Sequence, residues 1–494
     1  MALTDQLPYE LAQEFGIVAL AEEGGAIAVA TAPHMTVATL SAARQRLGKP
    51  LRTRSVDAEQ FRALLTTAYS SVVSSANATT STTTAFKSAE GVAPLSQHAD
   101  LLSTVTSDET SPAVRIVNEL LREALARGAS DIHLDATEQG GRVRCRVDGV
   151  LGDVRDTDAA THAAMIARCK VLATLDIAER RMPQDGRIQV VVAGHRVDVR
   201  IATLPTQHGE RAVLRLLDTS AARLDLSALG LSDATLAALR EAVRMPHGLV
   251  LVTGPTGSGN TTTLYAAVSE LDRERLNVVS VEDPVEYALD RVAQTQVNPR
   301  IELTFARALR AILRHDPDVI IVGEIRDRET AEIAIQASLT GHLVLASLHT
   351  NTAGAAITRL VDMGVEPFLL ASSLRGVLAQ RLVRRLCLHC RVAHATISAE
   401  ATLLAGHGIS GVAQLYEAIG CDQCNHSGYR GRMGLYRWLP VSADIAQAIH
   451  ARVPDTALEA SAAAAGWTAL ATDATRHLQN GATSASEVLR VVTL

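Results

Sequence analysis

The segment GPTGSGNTTT, residues 254–263, has the spacing of a loop that binds phosphate groups. It follows the apolar run GLVLVT and precedes a helical pattern, which is the strand, loop and helix order of nucleotide-binding domains. Glycines let backbone N–H groups converge on an anion, and the helix N-terminus adds partial positive charge. The alternative is a glycine-rich turn without a ligand. The candidate nucleotide-binding residues are Gly254, Pro255, Thr256, Gly257, Ser258, Gly259, Asn260, Thr261 and Thr262, with the Thr261 hydroxyl directed to Mg²⁺.

Position 260 departs from the pattern, because a lysine that reaches the phosphates is expected there and this chain has Asn260. The chain has 47 lysines and arginines, of which only Lys49, Lys87 and Lys170 are lysines. The chain therefore has no lysine beyond residue 170 that could replace the missing charge. The substitution predicts weaker nucleotide binding and weak or absent ATP hydrolysis.

Acidic residues follow two further apolar runs, and His342 and His349 lie at either end of a third. Such runs read as strands of a parallel sheet, whose carboxyl ends meet at one edge, where carboxylates can orient water and Mg²⁺. The histidines could sense the γ-phosphate. The alternatives are that the carboxylates only cap strand ends at the surface and that a histidine has a structural role. The candidate catalytic residues are Glu282, Asp283, Glu286, Glu324, His342 and His349.

Four cysteines occur as two pairs, in CLHC and CDQC, with 30 residues between the pairs. Paired Cys-x-x-Cys motifs can supply four thiolates to a tetrahedral zinc ion. The alternative is a redox pair or unrelated core cysteines. We therefore predict a Zn²⁺ site at Cys387, Cys390, Cys421 and Cys424, and interpret Cys145 and Cys169 as ordinary buried thiols.

Hydrophobic periodicity predicts the elements that position these residues, within an α/β fold. A helical pattern that begins at Asp57 closes a small N-terminal unit, and a Ser/Thr-rich stretch then interrupts the order. The predicted parts are an N-terminal docking domain (1–70), a flexible linker (71–111), an α+β domain (112–220), a phosphate-loop domain (230–385), a zinc module (386–435) and a C-terminal helical region (436–494).

Composition excludes several classes of protein. The 494 residues are 47% hydrophobic and 20% charged, which indicates a globular chain of about three domains. The net charge of −6 argues against a nucleic-acid partner. The sequence has no apolar run of about 18 residues and no signal pattern at its start, and six cysteines do not indicate a disulfide scaffold. We therefore expect a cytoplasmic protein.

Together these segments resemble the secretion ATPase superfamily of type II secretion and type IV pilus motors. VEDPVEY resembles the Asp box of that family, LRHDPDVIIVGEIRDRETAEIA its Walker B region, and TGHLVLASLHT its His box. ASDIHLDATEQGGRVRCRVDGVL and DIAERRMPQDGRIQV resemble its second N-terminal domain. The opening LPYELAQEFGIVAL and the chain length are more similar to the type II secretion member than to the longer pilus motors.

The resemblance implies a RecA-like motor domain, a preceding PAS-like α+β domain and a homo-hexamer that uses ATP to assemble a pseudopilus. It also implies that the N-terminal domain docks on the cytoplasmic domain of an inner-membrane protein, so the chain would lie peripherally on the cytoplasmic face. The alternatives are a pilus assembly ATPase and a catalytically silenced subunit. Arginines near the nucleotide would be Arg187, Arg200, Arg310, Arg314, Arg326 and Arg359.

Overall fold

The chain forms two compact units, Met1–Leu95 and Ser96–Leu494. The structure, a computed structural model, describes residues 112–492 apart from 193, 194, 219–224 and 468, together with 99, 100 and parts of the stretch from 7 to 64. The predicted linker, residues 71–111, lies outside the described residues except for 99 and 100.

The first unit contains a three-stranded sheet of β1 (Ile17–Glu23), β2 (Ala26–Thr31) and β3 (Leu51–Ser55). Strands β1 and β2 are antiparallel, whereas β2 and β3 are parallel. Apolar side chains of β1 and β2 form a small core with Phe61. The helix that the sequence predicted at Asp57 is capped there, since the Gln60 N–H donates to Asp57 Oδ1 at 2.8 Å. The later part of that prediction, residues 65–69, lies outside the described residues.

The second unit begins with an α+β layer built on a seven-stranded sheet. The sheet has the order β4-β8-β9-β10-β5-β6-β7, and its pairs are antiparallel except β4 with β8. Helices α1 (Pro112–Ala126) and α2 (Ala159–Leu172) pack their apolar faces on it. The strands are β4 (Ala99–Asp100), β5 (Ala129–Thr137), β6 (Gly140–Val147), β7 (Val150–Thr157), β8 (Gln184–Val192), β9 (His195–Thr206) and β10 (Gly209–Asp218).

A second seven-stranded sheet, of order β13-β12-β14-β15-β11-β16-β19, carries the phosphate loop. All of its pairs are parallel except β16 with β19. The strands are β11 (Gly248–Thr253), β12 (Val278–Glu282), β13 (Val292–Gln296), β14 (Val319–Val322), β15 (Leu343–Leu348), β16 (Leu374–Leu386) and β19 (Tyr429–Pro440).

Helices cover both faces of this sheet, because its central strands are apolar on both sides. Leu249 and Leu251 of β11 pack on one face, and Val250 and Val252 pack on the other. The helices that connect or flank the strands are α3 (Asp233–Val243), α4 (Asn260–Ser269), α5 (Phe305–Ile312), α6 (Arg328–Leu339), α7 (Ala353–Asp362) and α8 (Pro367–Ser373).

The cysteine pairs lie in an excursion between β16 and β19, which contains β17 (Arg391–Ala395), β18 (Gln414–Ala418) and α9 (Ser398–Ala405). Helices α10 (Ala443–His450), α11 (Asp455–Ala464), α12 (Leu470–Gln479) and α13 (Ala485–Val492) follow. The boundaries proposed at 385/386 and 435/436 therefore need correction, because they cut strands β16 and β19, which pair as one ladder of the second seven-stranded sheet. Among the described residues, no helix is long and apolar enough to cross a membrane.

Candidate functional site

The glycine-rich loop connects the end of β11 to the start of α4, at the carboxyl edge of the parallel strands. Gly259 precedes α4 with φ of 92°, a conformation that glycine adopts without strain. Gly254 packs so closely that a Cβ there would lie 2.5 Å from the Gln380 carbonyl oxygen. Within the described chain, the N–H groups of Gly257, Gly259 and Asn260 donate to no acceptor. A loop of free N–H groups at a helix N-terminus fits an anion.

Asn260 is the first residue of α4, and its side chain is only 8% exposed. Its Nδ2 lies 3.4 Å from the Gly254 carbonyl oxygen, and its Oδ1 accepts a hydrogen bond of 2.9 Å from the Ser258 hydroxyl. The amide therefore binds to the loop itself and holds its two ends together. It contributes no positive charge to the space that the loop encloses.

Glu324 lies two residues beyond β14, beside the phosphate loop. The turn is held against β15, since Ser347 donates to the Gly323 carbonyl at 2.5 Å and Ile325 N–H donates to the Ser347 carbonyl at 2.9 Å. Arg326 donates to the Glu324 carboxylate and, at 3.2 Å, to Asp283. The bond to Glu324, the largest influence, raises the pKa of Arg326.

Glu282, at the end of β12, is 2% exposed. Ser280 donates to its Oε1 at 2.5 Å, Gln294 donates to the same oxygen at 3.1 Å, and Tyr265 donates to its other oxygen. Burial and the neighbouring carboxylate raise the pKa of Tyr265. The carboxylate of Glu282 is thus occupied by three donors, and it ties the phosphate-loop helix to β12.

The two histidines lie at opposite ends of β15, and only His349 is at the phosphate loop. Its Nδ1 lies 3.2 Å from the Gly254 carbonyl oxygen, and its Nε2 lies 3.4 Å from the Glu324 carboxylate. His342 precedes β15, where its carbonyl accepts from the N–H of Gly248, the first residue of β11. We therefore remove His342 from the site, because the amino and carboxyl ends of a strand lie on opposite edges of the sheet.

A cavity of about 1320 Å³ lies between the phosphate loop and the α+β layer. The loop from Pro255 to Thr262 forms one wall, and His133, Arg146 and Arg215 contribute to the other. Such a volume accommodates a nucleotide. Arg200 of β9 crosses between the two domains near Glu286, which it approaches at 3.3 Å.

Four other candidate arginines do not line this cavity within one chain. Arg187 is paired with the buried carboxylate of Asp198, on the neighbouring strand of the α+β layer. Arg310, Arg314 and Arg359 are exposed, and Arg310 pairs with Glu329 at 2.6 Å. In a single chain the structure therefore brings together the loop, Glu282, Asp283, Glu286, Glu324, Arg326 and His349, and not these four arginines.

Sequence reasoning missed the polar residues of β16. Gln380 donates to the Ser258 carbonyl at 2.8 Å and accepts from Thr263 at 2.7 Å, so it braces the loop and its helix. Arg381 lines the cavity and is 7% exposed. The signal was present in LAQRLV, where two adjacent polar residues interrupt an otherwise apolar strand.

The four paired cysteines converge at the end of β16. The Sγ atoms of Cys387 and Cys421 are 3.9 Å apart, those of Cys390 and Cys424 are 3.8 Å apart, and all four lie within 4.8 Å of one another. Zinc–thiolate bonds of about 2.3 Å in a tetrahedron place sulfur atoms about 3.8 Å apart, so the cluster fits zinc. Although burial opposes the shift, N–H groups of Cys421 and Gly428 lower the pKa of Cys424 to about 6. Burial raises the pKa of the separate Cys169 thiol to about 12.

Comparison with known proteins assigns the chain to a protein family. The family described as type II/IV secretion system protein matches residues 106–490, and the N-terminal domain of GSPII protein E matches residues 6–69. The type II secretion system protein HxcR of Pseudomonas aeruginosa is 47% identical over 490 residues, which cover 98% of each chain. The type II secretion system ATPase E of Vibrio cholerae is 49% identical over 397 residues, covering 80% of this chain and 78% of that protein.

Solved structures share the fold. The Legionella pneumophila ATPase DotB superposes with a TM-score of 0.58 at 21% identity, covering 77% of this chain and 94% of DotB. The pilus retraction motor PilT, solved with bound ADP, superposes with a TM-score of 0.51 at 26% identity, covering 76% of this chain and 96% of PilT. These neighbours and the mixed α/β layers define a RecA-like ATPase fold. Because the family model matches residues 106–490 and HxcR is 47% identical over 98% of the chain, the chain belongs to the family of type II/IV secretion system proteins.

Proposed function

We propose that this chain is the ATPase subunit of a type II protein secretion system. The observation that carries the proposal is the meeting of the phosphate loop, Glu324 and His349 at one cavity. The relatives named as type II secretion proteins over nearly the whole chain support the choice of system. The match to the N-terminal domain of GSPII protein E supports type II secretion over pilus assembly.

Nucleotide would bind in the cavity with its phosphates on the loop. The free N–H groups of Gly257, Gly259 and Asn260 suit phosphate oxygens, since they already lie together without an acceptor. Arg200 and the α+β layer would close the other side of the cavity.

Hydrolysis would depend on the carboxylates that reach the same edge. Glu324 would orient the attacking water and hold its proton, and His349 would couple the Glu324 carboxylate to the start of the loop at Gly254. Arg326 would keep Glu324 in place, since it donates a hydrogen bond to the carboxylate. Thr261, together with carboxylates at this edge, would hold Mg²⁺, which neutralises developing phosphate charge when bound.

A homo-hexamer would complete the site. Arg310, Arg314 and Arg359 are exposed and do not line the cavity of their own chain, so they would serve the site of a neighbouring subunit, where Arg310 would exchange its partner Glu329 for phosphate. Arginine forks suit phosphate oxygens, and an arginine supplied from another subunit can stabilise a transferring phosphoryl group. The hexamer would couple this cycle of ATP hydrolysis to pseudopilus assembly.

The cysteine cluster would hold one structural zinc ion. Its residues link the ends of β16 and β19, since Cys387 follows β16 directly and Cys424 lies five residues before β19. Zinc would join these two strands at the point where the cysteine-containing segment leaves the sheet that carries the phosphate loop. Its role would be structural, because four thiolates leave no open position.

The first unit would dock on the cytoplasmic domain of an inner-membrane secretion protein, and the chain would thus lie on the cytoplasmic face of that membrane. The separate family match of residues 6–69 supports a role of its own for this unit. The test of the whole proposal is genetic. Deletion of the gene should abolish export of folded proteins to the medium, and the intact chain should restore it. Restoration by Glu324→Gln, or export that persists after deletion, contradicts the proposal.

A further inference from the structure

Arg381 is a buried arginine without a carboxylate partner in the described chain. Its side chain is 7% exposed, and one guanidinium nitrogen donates to the Asn351 carbonyl at 3.3 Å. The other terminal nitrogen, Nη1, is buried and has no hydrogen-bond partner among the described residues. Burial lowers the pKa of this guanidinium. A buried cation without an anion is costly for the folded state, so the position is explained by a ligand that supplies negative charge.

The guanidinium lies across the start of the phosphate loop. Strand β11 is between β15 and β16 in the sheet. Arg381 belongs to β16, and Asn351, which accepts its hydrogen bond, follows β15. The side chain therefore passes over the carboxyl end of β11, where the loop begins at Gly254. The preceding residue, Gln380, is itself bonded to the loop at Ser258.

Charge pairing distinguishes Arg381 from the other arginines at the cavity. Six arginines line it among the residues that the structure describes. Five of them have a carboxylate within ion-pair distance: Arg146 and Arg215 pair with Asp131, Arg326 with Glu324 and Asp283, Arg432 with Asp148, and Arg490 with Glu487. Of these six described arginines, only Arg381 keeps its charge uncompensated, so it is the one that an incoming anion would bind most directly.

We propose that Arg381 is a phosphate-binding residue of the nucleotide site, and that its guanidinium supplies from β16 the positive charge that Asn260 lacks. The ligand class is the terminal phosphate of a nucleoside di- or triphosphate. The inference rests on the proposed function, because it takes the cavity to be a nucleotide site. Arginine suits this place, since it stays charged when buried and its planar fork matches phosphate oxygens.

The test is equilibrium titration of the full chain with MgADP and with a slowly hydrolysed MgATP analogue. Arg381→Gln is expected to weaken binding by about tenfold to a hundredfold, the range of one charge-assisted hydrogen bond. Arg381→Lys keeps the charge and should lose less. The matched control is Arg375→Gln, on the same strand, because Arg375 donates to the His247 carbonyl and does not line the cavity. That control should bind as the parent does.

A double substitution tests the compensation itself. If Arg381 replaces the missing lysine, Asn260→Lys should restore most of the affinity that Arg381→Gln removes, and should raise the affinity of the parent by less than about tenfold. Unchanged binding by Arg381→Gln overturns the assignment of Arg381 and leaves the nucleotide site standing. Absence of nucleotide binding by the parent chain overturns the proposed function instead.

Loss of binding counts only for folded protein, so thermal unfolding of each variant accompanies the titration. Should Arg381→Gln fail to fold, Arg381→Met is the second variant, since an apolar side chain of similar volume leaves no buried charge unpaired. A folded Arg381→Met that binds as tightly as the parent likewise overturns the assignment. A folded Arg381→Met with weakened binding that Asn260→Lys restores supports it.

Discussion

Replacement of Asn260 by lysine is expected to raise the affinity for nucleotide only slightly and to raise the rate of hydrolysis strongly. In the parent, the Asn260 amide is bonded to Ser258 and lies 3.4 Å from the Gly254 carbonyl, so it lines the loop without charge. Lysine extends about two bonds further and carries a mobile ammonium group. The lost hydrogen bond to Ser258 costs about 1 kcal/mol, which is small beside a gained charge at the phosphates.

The expected changes in affinity and kcat depend on the positive charge that Arg381 already places at the site. Arg381 supplies a positive group in the ground state, so the affinity for MgATP should rise by less than about tenfold. Arg381 is held on a strand and bonded to Asn351, and it cannot follow the charge that shifts during phosphoryl transfer. A clamp that stabilises this transition state is worth on the order of 10³–10⁵ in rate. Asn260→Lys should therefore raise kcat by at least about 10³.

The assay is steady-state ATP hydrolysis by assembled protein, with nucleotide affinity measured on the same samples. Asn260→Gln is the matched control, because it lengthens the side chain without adding charge, and it should leave kcat near the parent value. Glu324→Gln in the Asn260→Lys background should remove the gained activity if hydrolysis occurs at this site. Equal and brisk turnover by parent and Asn260→Lys would refute the reasoning.

Three further outcomes are expected. Purified protein should contain about one zinc ion per chain by elemental analysis. The variant Cys387→Ser should lose both zinc and stability, whereas the control Cys145→Ser should keep both. A fold that is unchanged by removal of the metal would argue against a structural ion. Deletion of residues 1–70 should release the protein from the membrane fraction of cells, and continued sedimentation with membranes would place the docking surface elsewhere. Although burial opposes the shift, Arg490 and Arg384 lower the pKa of Glu487 from 4.5 to about 2. This lowered value stabilises the fold by on the order of 3 kcal/mol above pH ~4.5, and the stabilisation is lost as pH falls towards about 2. The free energy of unfolding of the parent should therefore fall more steeply with acid than that of Glu487→Gln. Parallel falls in the two proteins would contradict a lowered pKa of Glu487.

Local patterns were sufficient for the parts of the site that depend on strand ends. The loop after β11 and the carboxylate after β14 could be placed together because parallel strands end at one edge of a sheet. The cysteine cluster could likewise be predicted, since the chemistry of four thiolates does not depend on the path between them. These features need little knowledge of long-range packing.

Features that depend on strand pairing were not accessible in the same way. The histidines are a different case, because His342 precedes an apolar run and His349 follows it, so the direction of the chain alone could have placed only His349 at the loop. The pairing of β16 with β19 joins residues that are 43 to 64 positions apart in the chain, so the sheet that carries the phosphate loop extends past the boundary predicted at the start of the cysteine module. Arg381 lies within an apolar strand, and only the packed sheet brings its guanidinium over the end of β11.

The most direct measurement of the central claim is equilibrium titration of the full chain with a slowly hydrolysed ATP analogue and Mg²⁺, beside the variant Gly259→Val. Gly259 adopts φ of 92°, which valine does not tolerate, so the variant should lose the loop conformation while the rest of the domain stays folded. We predict one saturable site per chain in the parent and no measurable site in Gly259→Val. Absence of binding by the parent, or equal binding by both proteins, would contradict the assignment of this loop as a nucleotide site.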